Sequence, residues 1–236
     1  MKLARPDFSL CHPSARPEVW PKTRDKWLEA ASGTLSIEHV VALDYGTCVP
    51  NRSEYGISRI VWNYWAKCSV DATNVAALGA VGHVLVVISD DIYPCHEWDW
   101  ALRKIPELWG DKPCVVRVST GGSADHSGLL TIQILNRVRY EQIGYLFHPS
   151  YVSMYSDAEF TEHAEADGVV VNAPHIMFRH EHPTTPGSAA EVDEVYQRQN
   201  APERYEYGEA LLAFRRERGF PAVMSQELQE MRLAIQ

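Results

Sequence analysis

Ser89, Asp90 and Asp91 follow without a break from Val84-Leu-Val-Val-Ile88. Two adjacent carboxylates with no basic residue close in sequence are costly unless water or a cation compensates their charge. A hard divalent ion is the natural compensator; the plainer alternative is a solvated turn closed by Pro94. Two other clusters could share the chemistry. Asp157 and Glu159 open a candidate helix, and His180 and His182 flank Glu181 in Arg179-His-Glu-His-Pro183. Alternation along an extended strand puts His180 and His182 on one face, so with the aspartates they make a candidate metal set. At a helix start Asp157 is favoured by free amides and by the dipole. It can act as a base only if one oxygen stays free for a substrate. Asp44, which ends a second apolar run, is either a turn cap or an acceptor for a ligand base or ribose.

These groups must be carried on strand and helix ends. Val84–Ile88 reads as a strand buried on both faces, and ligands of open α/β sheets bind at the carboxyl ends of strands. Phe8–Cys11 is a first strand that breaks into the polar loop His12-Pro-Ser-Ala-Arg-Pro17, rich in groups able to bind an anion. Trp20–Ala31 is a helix ended by Gly33, Glu38–Asp44 a second strand, and Ser69–Ala80 a capped helix of small residues lying close on the sheet. This order implies right-handed parallel crossovers. Ile60–Trp65 fits a helix or a strand equally. Glu97–Leu108 predicts one amphipathic helix. Cys114–Ser119, Thr131–Leu135, Val169–Asn172 and His175–Phe178 predict strands, and Arg137–Ile143 and Ser156–Ala166 helices, the latter with a good N-cap pattern. Thr120–Gly128 is a glycine-rich loop where a lid would sit. From Glu191 onward, charged helical segments form an extension against the sheet domain.

The composition limits the classes. A formal charge of −9 argues against a protein that grips long stretches of phosphate backbone. A local basic patch remains open, with Arg137, Arg139, Arg204, Arg215, Arg216 and Arg218 as candidates; a solvated helix face is the alternative for the last three. The 5 cysteines are odd in number and nowhere in a C-x-x-C pair, which fits reduced thiols. Met1–Asp7 has no apolar run of the signal type, and no segment has the length of a membrane span, so a cytoplasmic location is expected. Oligomeric state leaves no mark in the sequence.

The motifs in order resemble one family. Val70-Asp-Ala-Thr-Asn-Val-Ala-Ala77 leading through Gly82 into Val84-Leu-Val-Val-Ile-Ser-Asp-Asp91 is similar to the nucleotide-sugar core of family 2-like glycosyltransferases of the GT-A fold, of the small stand-alone type found in bacteria and phage. Tyr140-Glu-Gln-Ile-Gly-Tyr-Leu-Phe147 is similar to the family's aromatic acceptor-side segment, Ser156-Asp-Ala-Glu-Phe160 to its base motif, and Phe178-Arg-His-Glu-His-Pro183 to its late metal-binding histidine. The chain departs from the family at Ile88, where many relatives carry a first acid, and at Ser156, where they carry Glu.

The resemblance implies an α/β fold. It consists of a single GT-A (Rossmann-like) domain over residues 1–188, with a mixed, mostly parallel central sheet, and a helical extension over residues 189–236. It implies that Asp91 binds a divalent metal, Mn2+ or Mg2+, with His180 or His182 completing the coordination. Asp90 would contact the ribose or share the metal, Asp44 would help hold the base, and the loop at His12, Pro13 and Arg16 with Asp71 or Asn74 would line the nucleotide pocket. Asp157 would be the general base. The implied activity is inverting transfer from a nucleotide-diphosphate sugar, with UDP foremost, to an acceptor hydroxyl of a glycan or of a hydroxymethylated pyrimidine in DNA. Two rivals stand beside it: a nucleotidyltransferase that makes nucleotide sugars, disfavoured because the loop at His12 lacks glycine, and a non-catalytic sugar-nucleotide or glycan binding module.

Overall fold

A computed structural model describes residues 4–48, 56, 58–64, 68–121, 124–181, 183 and 192–221. Its centre is a seven-stranded sheet of order β3-β2-β1-β4-β7-β6-β8, formed by β1 (Phe8–Ser14), β2 (Ile37–Asp44), β3 (Arg59–Asn63), β4 (Val84–Val87), β6 (Val115–Ser119), β7 (Ile134–Asn136) and β8 (Val170–Met177). β1, β2, β3 and β4 run parallel, and β6 runs parallel to β8. β7 is antiparallel to both of its neighbours, so the expected mixed, mostly parallel α/β sheet is present. Order reverses at β1, since β2 lies on one side and β4 on the other. A crevice opens at such a switch point, outside the carboxyl ends of the strands.

The alternation in β4 shows why this strand is central. Leu85 and Val87 belong to a core on one face of the sheet, and Val84, Val86 and Ile88 to a second core on the other. The first face is covered by α2 (Ser69–Gly79), whose Ala72, Ala76 and Ala77 allow close approach. At Gly82 a side-chain carbon would stand 2.8 Å from the Phe8 carbonyl carbon, so only glycine lets α2 turn into β4 beside β1. The second face is covered by α1 (Trp20–Glu29) and α3 (Trp98–Arg103). There the indoles of Trp27 and Trp98 meet edge to face at 5.2 Å and each donates to a backbone carbonyl, that of Ile92 and that of Trp27. Buried tryptophans thus keep their N–H groups satisfied.

Several elements differ from the sequence reading. β1 continues through His12 and Pro13 to Ser14, paired with β2, where a loop was expected. Residues 97–108 do not form one helix, because Pro106 cannot continue it; α3 stops at Arg103 and a short 3-10 turn covers Pro106–Trp109. Val169–Asn172 and His175–Phe178 belong to one strand, β8. The third apolar stretch of the first half is the strand β3. α2 is capped by the Cys68 sulfur, which accepts from the Asp71 N–H at 3.4 Å, and not by Ser69. In the expected lid, α4 (Ala124–Ser127) is present, and the Asp125 carboxylate takes hydrogen bonds from Ser119, Thr120 and Gly121, which tie the described part of this loop to the end of β6.

The chain continues through α5 (Arg137–Ile143) and α6 (Ser156–Ala166) and ends its described part with α7 (Glu194–Gln199) and α8 (Pro202–Glu217). Leu211 of α8 lies in the same core as Phe160 and Ala164 of α6. The proposed basic patch does not form. Arg137 donates to the carbonyls of Ala80 and Gly82, Arg139 to Asp167, Arg204 to Gln199 and Arg216 to Glu162. Arg218 lies over the Phe214 ring, and Arg215 is buried on Glu159. No helix among the described residues is long and apolar enough to cross a membrane.

Candidate active site

A small second sheet assembles the site. β5 (Ile92–Tyr93) pairs antiparallel with β9 (Arg179–His180), and Ile92 stands opposite His180. The Glu181 N–H donates to the Asp91 carbonyl at 2.8 Å. Strand pairing thereby brings the acidic turn after β4 against the histidine segment after β8, and His180 Nε2 lies 3.3 Å from Asp91 Oδ2. Burial alone would raise the Asp91 carboxyl and lower the His180 imidazole. The mutual hydrogen bond and charge attraction outweigh it, with help from Ser89 on Asp91, so Asp91 is held below its ordinary range and His180 above. His182 lies outside the described residues.

The pair opens onto a cleft of about 400 Å³ at the carboxyl ends of β1, β2 and β4, which Pro13, Arg16, Asp44, Asp90, Asp91 and His180 all line. Asp44 Oδ1 accepts from the Asn63 side chain at 3.0 Å across β2 and β3. Among the described residues no group of three or more His, Cys, Asp and Glu is arranged to hold a metal. A two-residue oxygen and nitrogen donor pair suits a Mg2+- or Mn2+-type ion whose remaining positions are filled by substrate phosphate and water. Asp91 and His180 fit that pattern.

Other expected residues are placed differently. Asp90 borders the cleft but is only 8 % exposed. Its Oδ1 accepts from His12 at 2.9 Å, and its Oδ2 from Ser14 at 2.9 Å and Arg16 at 3.3 Å. Both oxygens are engaged, so Asp90 braces the turn and is not set up to meet a ribose or share a metal. His12 is fully buried behind it, because the extra length of β1 carries it into the sheet. There it continues a polar chain, His12 Nδ1 to His39 Nε2 at 3.1 Å and His39 Nδ1 to Ser58 at 2.9 Å. Burial, reinforced by His12 and Arg24, pushes His39 well below its ordinary value and keeps it neutral. Asp71 lies on α2 and is nearly buried, while its neighbours Ser69 and Ala72 reach the cleft.

Asn74 is a correction with a clear cause. Its Oδ1 accepts from the amides of Leu146 and Phe147 at 2.9 and 3.0 Å, and its Nδ2 donates to the Phe147 carbonyl at 2.7 Å. The side chain substitutes for a strand neighbour and pins the aromatic segment after α5 to α2. Asn74→Ala strands these partly buried backbone groups, so stability falls by about 1–3 kcal/mol in a denaturant melt while affinity for a nucleotide is unchanged.

Asp157 stands at the start of α6, three residues beyond Met154, which lines the cleft. Tyr155 holds the N-cap position in the left-handed region, at φ 68°, and gives no side-chain cap. The Ser156 hydroxyl donates to the Ser153 carbonyl instead, so the expected N-cap pattern is not used. The Asp157 Oδ1 accepts from the Ala158 N–H at 2.9 Å, and no hydrogen bond from another described residue reaches Oδ2. Burial raises its carboxyl above the ordinary range against the backbone amides of Ala158 and of Asp157 itself. Asp157 itself is not among the residues that line the cleft.

Residues of α7 and its surroundings, not singled out from sequence, close the cleft: Val195, Tyr196, Arg198, Asn200 and Tyr205. α7 is held there by Arg16, whose Nε and one terminal nitrogen meet Asp193 at 2.6 and 2.9 Å. The bond to Asp193 leads the causes that hold the Arg16 guanidinium above its ordinary range. Asp193 in turn caps α7 through the Tyr196 N–H. The readable signal was this Asp193-x-x-Tyr196 cap, which fixes where α7 begins.

No family model and no curated protein matches the sequence. Solved structures do match by fold. S. aureus TarS superposes with a TM-score of 0.55 at 14 % identity, covering 95 % of this chain and 47 % of TarS, so the chain spans about half the length of that protein. Glucosyl-3-phosphoglycerate synthase (GpgS) from Mycobacterium tuberculosis in complex with Mg2+ and UDP gives a TM-score of 0.58 at 13 % identity, covering 92 % of this chain and 80 % of that one. The same synthase with Mn2+, UDP-glucose and phosphoglyceric acid gives 0.60 at 11 % identity, covering 92 % and 81 %. TarS and the synthase are GT-A fold glycosyltransferases, and this chain has the GT-A fold.

Proposed function

We propose that the chain is an inverting glycosyltransferase that moves a sugar from a nucleotide-diphosphate sugar, UDP-linked, to an acceptor hydroxyl, with Mn2+ or Mg2+ as cofactor. The observation that carries this reading is the Asp91–His180 pair, built by the β5–β9 pairing at the mouth of a cleft on a GT-A sheet. The relatives crystallised with Mg2+ or Mn2+ and UDP or UDP-glucose support the donor class.

Asp44, at the end of β2, would meet the base and ribose, and Asp91 and His180 would hold the metal. The ion, when bound, acts as a Lewis acid that offsets charge on the diphosphate. Asp157 Oδ2 accepts the proton of the acceptor hydroxyl as its oxygen attacks the anomeric carbon. The bond from that carbon to the β-phosphate oxygen breaks with its electron pair staying on phosphate, and attack from the opposite face inverts the centre. The acceptor is an alcohol of a glycan or of a hydroxymethylated pyrimidine. On this reading α7 is part of the donor site, because its residues line the cleft. An assignment to the cytoplasm accords with a nucleotide-sugar donor.

The test is a thermal-shift panel of nucleotide sugars with and without Mn2+. UDP-sugar with Mn2+ at about 100 times its Kd stabilises by about 2.7 kcal/mol, which is about 5–10 °C for a domain of this size. Asp91→Ala removes the metal-dependent part of the shift and keeps the fold. A chain that gives no shift with any nucleotide sugar, yet releases pyrophosphate from a sugar 1-phosphate and a nucleoside triphosphate, is a nucleotidyltransferase.

A further inference from the structure

Among the described residues, one cation of the cleft has no counter-charge. Arg198, on α7, lines it together with Tyr196 and Asn200. Its Nε is buried and donates to nothing, and among the described residues its guanidinium forms neither a hydrogen bond nor an ion pair. The other arginine of the cleft behaves differently, since Arg16 is fully engaged by Asp193 and Asp90. A guanidinium N–H removed from water without an acceptor is unfavourable. Arg117, Arg139 and Arg215 also bury one such nitrogen, but Arg198 does so at the wall of the cleft, where a ligand can bring the acceptor.

A second arginine strengthens the case. Arg204, at the start of α8, donates to Gln199 at 2.9 Å. Burial lowers its guanidinium; Cys68 opposes that, and the like charge of Arg198 adds to it. The two guanidinium groups are thus close enough for one to feel the charge of the other. Asp91 and His180 line the same cleft, and Tyr196, two residues before Arg198, is near enough to Asp91 to feel its charge. The arrangement places a fork of N–H donors in the same cleft as the candidate metal pair. Such a fork matches the oxygens of a phosphate group in two-pronged fashion.

We infer that Arg198 grips the diphosphate of the donor and takes up part of the negative charge that grows on it as the bond to the sugar breaks. The inference rests on the donor-site reading given above and adds a protein cation to it. α7 thereby becomes part of the reaction site and not merely its roof. A phosphate on the acceptor is the other possible source of the same chemistry, and the experiment separates the two.

The experiment is calorimetric titration of the full chain with uridine, UMP and UDP in Mn2+, and separately with a sugar 6-phosphate as a phosphorylated acceptor, on the parent, Arg198→Ala and Arg198→Lys. Loss of a charge-assisted phosphate contact weakens UDP binding by about 10- to 100-fold. Uridine affinity stays at the parent value, which also shows that the variant is folded. Arg198→Lys falls between, because an ammonium keeps the charge but not the fork. An Arg198→Ala chain that binds UDP as tightly as the parent overturns the assignment, and a fall in affinity for a phosphorylated acceptor alone moves Arg198 to the acceptor side and overturns it equally. A parent that binds no nucleoside diphosphate is a different result: it removes the donor site itself, and the role of Arg198 with it.

Discussion

Asp157→Asn lowers the rate of sugar transfer by about 10²- to 10⁴-fold, the range that a positioned general base contributes, while UDP binding stays at the parent level. Asn has the same shape and keeps an oxygen for the Ala158 amide, so the start of α6 is preserved. What disappears is a group that can accept a proton at the free position. The pH profile gives an independent readout. Burial lifts the Asp157 carboxyl above the ordinary carboxylate range, and a base works only when ionised. Transfer therefore falls on the acid side through a pH above that of an ordinary exposed aspartate, and the residual activity of the Asn variant lacks this limb. A carboxyl whose folded-state pKa is raised supports the fold in acid and loses that contribution as pH rises through the raised value. Removing the ionisable group at neutral pH consequently does not destabilise the chain, and a melt separates lost chemistry from lost folding. An Asp157→Asn chain that transfers sugar at near the parent rate places the base elsewhere.

The parts of the fold that were legible are those written locally. Val84–Ile88 announces a strand with two buried faces, and both cores meet on it. Ser156–Ala166 and Arg137–Ile143 carry helical spacing that tertiary packing does not override, and both helices have the expected bounds. The acidic turn was readable as well, because paired carboxylates need an explanation wherever they occur. The division of labour between them was not. Asp90 and Asp91 are equivalent in the sequence, and only the extra residues of β1 decide that His12, Ser14 and Arg16 converge on Asp90 and leave Asp91 to face His180. That pairing spans 89 residues and depends on a two-residue strand, too short for any periodicity. Asn74 misled for a related reason. An amide on a helix near a ligand cleft and an amide that ties down a loop look the same until the loop is placed. α7 was underestimated because four of its six residues are charged or amides, which reads as a solvated surface although Val195, Tyr196 and Arg198 line a cavity.

Glu159→Gln destabilises the chain by about 3–5 kcal/mol, the effect of leaving a buried charge without its partner, and lowers the melting temperature by about 6–20 °C. Glu159 is 4 % exposed and Arg215 is fully buried. They meet in a two-pronged pair, Nε to Oε2 at 2.6 Å and a terminal nitrogen to Oε1 at 2.8 Å, and the Tyr151 hydroxyl donates to the same carboxylate at 3.0 Å. With Gln in place the guanidinium keeps its burial and loses the charge that balanced it. Replacing both residues, Glu159→Leu with Arg215→Met, recovers much of the loss, since two apolar chains of similar volume avoid the desolvation of either ion. It does not recover all of it: the buried Tyr151 hydroxyl is left without an acceptor, at about 1–3 kcal/mol. The pair matters for more than the fold. It clamps α8 to α6 just beyond Asp157, and on the neighbouring turn Gly208 packs so closely that a side-chain carbon there would stand 2.5 Å from the Met154 carbonyl oxygen. The segment bearing the proposed base is thus seated on α8. In the double variant, melting recovers further than the transfer rate does, because apolar packing restores burial without restoring the exact angle at which α6 presents Asp157. A double variant whose rate recovers in step with its melting temperature shows that the clamp stabilises the chain without positioning the base.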